Sequence, residues 1–571
     1  MTGTDVALLA RTAVHLKPTQ LAHRARLRAQ LQALRRWPRA GRRLLAGPDP
    51  AAATGWPAGF VPLDGRTSLP WPNPAWLASG KIELLGMARE LGNPPDWRQS
   101  DAPRLWRFHL HYWDWAWGLA ADPDRAAARE VFARLWRSWQ ETAVFGRGDA
   151  WLPYPAALRA WSWCGQYLDL VAGSNLEDRF VAELASHAGF LRRHLEYDVG
   201  GNHLVKDLKA LAGLAVFFAD DQLLRQALRR LVRQLAVQVL PDGGHYERAP
   251  AYHCQVLADL IDVAELVRAA GAEPVLELTA AIVRMRSWLG AVLAPAGGVP
   301  LLNDGYPIPA GLLAALVPDP PPAGPLHVLP NSGLVRAVAG GWHLLADVGA
   351  PCPDELPAHA HADTLGCVAH VDGMPLLVET ATSTYEHGPV REYERSTAAH
   401  NTVQVDGADS TEVWGAFRAG RRARVRDFAA RTNADHIVVD AAHDGFRRLS
   451  GRPSHRRRWS LAATGLRVDD LVTGSGRHTA IARWHLAPGT VVRLAVGRAV
   501  AATAGGTFEV SVSSSCPLTL TVESGQVAEG FLRTSSAPVL TCRTDAVLPV
   551  RVTTWWRMAR DQSAIKTAGG M

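Results

Sequence analysis

The rhythm of apolar residues changes near residue 317, and that change limits what the chain can fold into more than any other feature. From about Trp106 to Leu313 apolar side chains recur three and four positions apart, as in Phe180, Leu184, Ala188 and Leu191, or Leu257, Leu260, Ile261 and Val263. This is the spacing of amphipathic helices. Gly200-Gly201, Pro241-Asp-Gly-Gly244 and Pro295-Ala-Gly-Gly298 punctuate them as loops. Next comes Val317-Pro318-Asp319-Pro320-Pro321-Pro322, whose fixed dihedrals make a stiff extended linker. Beyond it, short β-type runs alternate with turns at Trp342–Asp347, Thr402–Gly407, His436–Asp440, Thr507–Val512 and Leu518–Val522. Strands of that length and spacing predict an antiparallel sandwich. A helical half followed by a strand half is an α+β, multidomain arrangement.

At 571 residues the chain exceeds one ordinary core, and two to four domains are expected. With 47% hydrophobic and 20% charged residues it is a folded protein rather than a disordered one. Six cysteines without a Cys-x-x-Cys give neither a disulfide framework nor a thiolate metal site. The N-terminus reads without a signal peptide, and the longest apolar stretch, near Ala210 to Ala219, is shorter than the roughly 20 residues of a bilayer span. A cytoplasmic location, peripheral to the membrane at most, is the expectation.

The net charge of +7 is concentrated. No acidic residue lies between Val6 and Pro48, where Arg24, Arg26, Arg28, Arg35, Arg36, Arg39, Arg42 and Arg43 crowd together. Residues 1–50 are therefore expected to form a basic helical arm. Such an arm attracts an acidic polysaccharide or an anionic membrane, or lies on the main domain as a solvated helix. No nucleic-acid motif accompanies it.

His359-Ala-His361-Ala-Asp363 is the densest chemical signal. On a strand, residues i and i+2 share a face, so both imidazoles would serve one site. An isolated His-x-His is commonly no more than a hydrogen-bonded strand pair. Here Glu379 and His400 each adjoin an apolar run that would set them on neighbouring strands. Two imidazoles, one carboxylate and a water make a tetrahedral zinc shell, a donor set that suits zinc better than calcium or magnesium.

In the helical half, Gly201-Asn202-His203 opens an apolar helix, which sets Asn202 and His203 near the positive end of its dipole. Simple capping by Asn202 is the plainer reading. Asp242-Gly-Gly-His245-Tyr246-Glu247-Arg248-Ala-Pro250-Ala-Tyr252-His253 packs many functional groups between a turn and a helix, and such loops on rigid scaffolds carry sites. Many of the 21 tryptophans must fill core, while aromatics such as Tyr154 in the Trp151–Trp163 stretch would stack on sugar rings and Arg159 would meet carboxylates or sulfates.

Together these motifs resemble the heparinase II/III family of polysaccharide lyases. The resemblance rests on Gly201-Asn202-His203, Glu247-Arg248-Ala-Pro-Ala-Tyr252-His253, His359-Ala-His361-Ala-Asp363-Thr-Leu365 and Arg395-Ser-Thr-Ala-Ala-His400-Asn401-Thr-Val403, in that order. It implies an incomplete (α/α) toroid over residues 51–322 and an antiparallel β-sandwich over residues 323–571 that closes on its groove. It also implies β-elimination on a uronic-acid glycan: the proton α to the carboxylate leaves, the C4 oxygen departs, and an enolate-like anion must be stabilised. By the family's pattern Asn202 looks like the carboxylate neutraliser, Tyr252 the base and acid, and His359 their partner. His203, Arg159, Tyr154, Glu247 and Arg248 are the expected substrate contacts, and His361, Glu379 and His400 look like a structural zinc shell. The chain departs from the pattern where Glu379 stands for the usual Asp, Ala381 and Ser383 for Gly and Tyr, and Gly366-Cys367 for Ser-Phe. Two rival readings are a non-catalytic polysaccharide-binding or assembly protein of an exopolysaccharide pathway and a metal-dependent hydrolase.

Overall fold

The computed structural model describes residues 3–67, 71–317, 324–433 and 435–559. The proline run 318–322, and with it the expected boundary between the halves, lies outside the described residues. Helices fill the first half up to Ala310–Leu316, apart from a short hairpin of Lys81–Leu84 with Met87–Glu90. Their centre is the helix Gly201–Phe217, in contact with Pro153–Leu170, Asp221–Gln238 and Pro250–Ala269. Every residue of that central helix is buried except His203 and Lys206. These two stand one turn apart on one face, and Lys206 pairs with Asp259 of the neighbouring helix. Trp106, Trp113, Trp115, Trp136, Trp139, Trp151 and Trp163 are fully buried and fill the helical core.

The second half is antiparallel throughout its described pairings. One sheet is a five-stranded meander from Leu326–Leu329 to Met374–Leu377. An eight-stranded sheet runs from Val425–Thr432 at one edge to Val491–Ala495 at the other, and a four-stranded sheet holds Val403–Val405 beside Arg477–His485. Strand alternation lets the meander serve two cores. Leu345 and Val368, paired across strands, join the helical core, while their neighbours Leu344 and Ala369 face the sandwich core. The halves are thus welded through a shared sheet, which fixes loops of one against helices of the other.

The N-terminal arm is not free. Helices Gly3–Ala13, Pro18–Arg36 and Pro38–Leu44 form a strap that ties both halves together. Arg11 pairs with Glu412 at 3.0 Å, Trp414 donates to Thr12, Lys17 pairs with Glu355, and Arg24 and Arg42 pair with Asp198 and Glu183. Leu34 is buried in the helical core. The acid-free segment finds its carboxylates elsewhere in the chain, while Arg26, Arg28, Arg35, Arg36, Arg39 and Arg43 remain exposed. Among the described residues no helix is long and apolar enough to cross a membrane, and all six cysteines are free.

Candidate active site

The expected residues converge where the helical half meets the sandwich, and a residue absent from the sequence reading lies at the centre. Asp304, in the turn after the helical bundle, is fully buried. Its Oδ2 accepts from His359 Nδ1 at 2.9 Å, and its Oδ1 lies 2.9 Å from His361 Nε2. The guanidinium of Arg391, itself fully buried, grips both oxygens at 2.5 and 2.9 Å. Burial alone would push this carboxyl up, but Arg391 and the two imidazoles hold it well below the usual carboxylate range. Asp304 therefore stays charged. His359 and His361 do not lie on a strand, as their spacing suggested; they sit in an irregular loop. They still share a partner, reaching Asp304 through different ring nitrogens.

On the groove side, the Tyr252 ring stacks on His359 with centroids 3.8 Å apart. Tyr252 lies in the first turn of the helix Pro250–Ala269, and its hydroxyl is 2.7 Å from that of Tyr385. Burial, with Tyr385 and Tyr306 close by, raises its phenol well above 10, so the resting form is protonated. His359 Nε2 faces Glu247 Oε2 at 3.2 Å. Both ring nitrogens of His359 thus face carboxylate oxygens, Nδ1 that of Asp304 and Nε2 that of Glu247.

Glu247 occupies the helix start at Asn202, near the positive end of its dipole. It accepts from the Asn202 backbone N–H at 2.7 Å and from Asn202 Nδ2 at 3.0 Å. The backbone at Gly201 is left-handed, and a Cβ there would overlap Glu247 Oε1, so only glycine admits this carboxylate. Burial raises the Glu247 carboxyl, but His359, His245 and Asn202 outweigh it and leave the group below its ordinary value. Asn202 is not the cap; Gly200 is. The amide hydrogens of Asn202 point to Glu247 and its Oδ1 is buried without a partner. Farther along, His203 lies 3.2 Å from Glu196, with Tyr154 against its ring at 4.2 Å. Burial works against a charged His203, yet Glu196 raises it above its ordinary value.

Behind Asp304 lies a second group. His361 and His400 have ring centroids 5.2 Å apart, and His400 Nδ1 bonds to Glu379 Oε2. His361 Nδ1, His400 Nε2, Glu379 Oε1 and Asp363 Oδ1 are all buried without a hydrogen-bond partner. Four orphaned acceptors or donors in one buried neighbourhood are costly, at about 1–3 kcal/mol each. Among the described residues no three histidine, cysteine or carboxylate side chains are placed to hold a metal ion as they stand. The donor chemistry nonetheless fits a zinc ion, two imidazoles and carboxylates with bare atoms. Burial lowers His361 to about 3, which keeps the ring neutral as a ligand must be.

Two expected contacts fall elsewhere. Arg159 is fully buried, hydrogen-bonding His187 and the carbonyls of His111 and Ala150 among Trp139, Trp151 and Trp163. It is a core strut and meets no sugar. Arg248 reaches across to the Ser332 carbonyl at 2.7 Å and lines a separate cleft of about 300 Å³ with Val328, Leu334 and Phe428. Asp304, Arg391, Tyr385 and Tyr306 escaped the sequence reading. The polar turn Asn303-Asp304-Gly305-Tyr306 was the available signal for two of them; Arg391 and Tyr385 carried none. Ala381 has φ 59°, the left-handed backbone that favours glycine, so the departure from the family's Gly costs about 1–2 kcal/mol of local strain.

Two family models match the chain, the Heparinase II/III N-terminus over residues 96–316 and Heparinase II/III-like, C-terminal over residues 321–566. The chain belongs to the heparinase II/III family. A solved heparinase III structure shares the fold, with a TM-score of 0.71 at 16% identity, covering 84% of this chain and 81% of that one. The heparan sulfate lyase HepC of Pedobacter heparinus, in a mutant form, aligns with a TM-score of 0.62 at 15% identity over 95% and 89% of the two chains. The chain is also 28% identical over 404 residues to the FtsZ-localized protein C of Caulobacter vibrioides, 68% of each. The helix-then-sandwich order of this heparinase II/III family member is that of a toroid closed by a β-sandwich.

Proposed function

We propose that the protein is a polysaccharide lyase that cleaves a uronic-acid glycan by β-elimination at the junction of its two halves. The observation that carries this reading is the Tyr252–His359 stack, whose members come from different halves of the chain and which on this reading acts as the acid–base pair. Asp304 fixes the Nδ1 side of His359, so Nε2 is the nitrogen that takes the proton α to the carboxylate. The phenol of Tyr252, kept protonated by burial, gives its proton to the departing C4 oxygen. Asn202 and the start of its helix are the donors for the substrate carboxylate. Glu247 holds those donors in the free protein, so the uronate must compete with it.

His361, His400 and Glu379 would hold a zinc ion behind this site. Bound there, the ion supplies a fixed positive charge and a cross-link between the loops at 361, 379 and 400. His203 and Tyr154 line the flanking groove as sugar contacts. The substrate class is an acidic polysaccharide, in keeping with the heparan sulfate lyase that shares the fold. Incubation with heparan sulfate, hyaluronan, alginate and bacterial capsular glycans tests the reading, since elimination alone leaves an ultraviolet-absorbing unsaturated uronate.

A second reading, a non-catalytic glycan-binding or assembly protein at a cytoplasmic face, is favoured by the exposed arginines of the strap and by the name of the FtsZ-localized relative. On that reading the strap holds a polyanionic glycan or an anionic membrane, and association falls steeply above about 0.1 M salt, where exposed charges are screened within about 10 Å.

A further inference from the structure

We infer that Asp304 is a positioning residue that couples the proton-transfer histidine to the ion site, using one carboxylate to orient His359 with one oxygen and His361 with the other. The inference deepens the lyase reading and rests on it for the role of His359.

A histidine that ligates a metal through one ring nitrogen nearly always donates its other N–H to a carboxylate or carbonyl, which fixes the tautomer and makes the ligating nitrogen more basic. His361 matches this arrangement. Its Nε2 lies 2.9 Å from Asp304 Oδ1, an oxygen without hydrogens, so Nε2 carries the proton. Its Nδ1 is then a bare lone pair, and it is the atom left buried without a partner beside the His400 ring. His400 repeats the pattern: Nδ1 bonds to Glu379, and Nε2 is left orphaned. Each ring thus keeps one buried nitrogen without a partner, as Glu379 and Asp363 each keep one buried oxygen. Asp363 is therefore a fourth candidate donor, set two residues from His361 by its own loop.

The same carboxylate faces the groove. Asp304 Oδ2 accepts from His359 Nδ1 at 2.9 Å, which leaves Nε2 as the nitrogen turned toward Glu247 and the substrate side. Arg391, with Nη1 and Nη2 on the two oxygens, and Thr382 at 3.3 Å keep the carboxylate from rotating. A carboxylate clamped in this way cannot adjust to one imidazole without moving the other. The helical half supplies Asp304, and the sandwich supplies both histidines and Arg391. The one carboxylate thus joins residues of both halves.

The test is Asp304→Asn, made with Asp304→Glu in parallel. Zinc affinity by chelator competition should weaken about 10- to 100-fold in Asp304→Asn, the usual effect of losing such a supporting carboxylate. Nitrogen-15 NMR of the histidine rings should show His361 protonated at Nε2 in the native protein and a mixture of tautomers in the variant. The kcat for unsaturated-product formation should fall with KM within about twofold, and Asp304→Glu should restore part of both zinc affinity and kcat. If Asp304→Asn leaves Arg391 without its counter-charge and does not fold, Asp304→Asn with Arg391→Gln removes both charges and is read the same way. A folded variant that binds zinc as tightly as the native protein, or a native protein that binds none, overturns the coupling. If no glycan yields product with the native protein, the elimination reading falls while the zinc and NMR results still decide the role of Asp304.

Discussion

The two groups of side chains on either side of Asp304 use the same residue types to opposite ends. On the groove side, the hydrogen-bonding atoms of Tyr252, His359 and Glu247 have partners, and the residues come from both halves of the protein. Behind Asp304, His361, His400, Glu379 and Asp363 all come from the sandwich half, and each has a buried polar atom without a protein hydrogen-bond partner. On the proposed reading the first group carries the chemistry and the second supports it.

Changes that strike the element common to both groups should have the largest effect. Arg391→Ala leaves the Asp304 charge buried against only two imidazoles, and a drop of about 3–5 kcal/mol in unfolding free energy is expected by chemical denaturation. His400→Ala strikes the rear group alone. It should lower zinc content in metal analysis and cost about 1–3 kcal/mol through Glu379, while the folded fraction retains much of its turnover. Full metal content in that variant would take His400 out of the ion site.

Acid should act next, through histidines buried neutral. His111, His253, His361 and His485 are each lowered from 6.5 to about 3, chiefly by burial. The unfolded chain binds protons at these sites that the folded chain refuses, so their stability is intact above pH 6.5 and is lost as pH falls toward 3. Melting temperature should therefore decline across that window, and a flat profile would mean that these rings are open to solvent. Zinc at His361 should steepen the decline. The smallest effect belongs to the strap surface, where replacing Arg28, Arg35, Arg36 and Arg39 with Gln should change stability by no more than about 0.5 kcal/mol per site. Association with anionic glycan or vesicles at low salt is the sensitive readout for those four.

What the sequence revealed follows from which interactions are local. Helical periodicity and strand alternation are written within ten residues, so the two-part architecture was legible. The motif residues Asn202, Tyr252, His359, His361 and His400 were singled out because their types are chemically conspicuous and their order matches a family. Asp304 and Arg391 were missed because their significance is a contact across 87 positions, with nothing in the local pattern to mark it. Arg159 misled for the converse reason. An arginine beside aromatics reads as a sugar contact, and only packing reveals that Trp139, Trp151 and Trp163 enclose it on the core side. The strap misled similarly, since a run without acids looks unpaired until Asp198, Glu183, Glu355 and Glu412 arrive from distant segments.

The central claim is that the groove-side group performs elimination and the rear group does not. The most direct test follows the ultraviolet absorbance of unsaturated uronate in parallel digests by the native protein, Tyr252→Phe and His400→Ala, each confirmed folded. The account predicts product from the native protein, a loss of about 100-fold or more in Tyr252→Phe with glycan binding retained, and a far smaller loss in His400→Ala. Near-native product from Tyr252→Phe, or reducing ends released without the unsaturated chromophore, would contradict it.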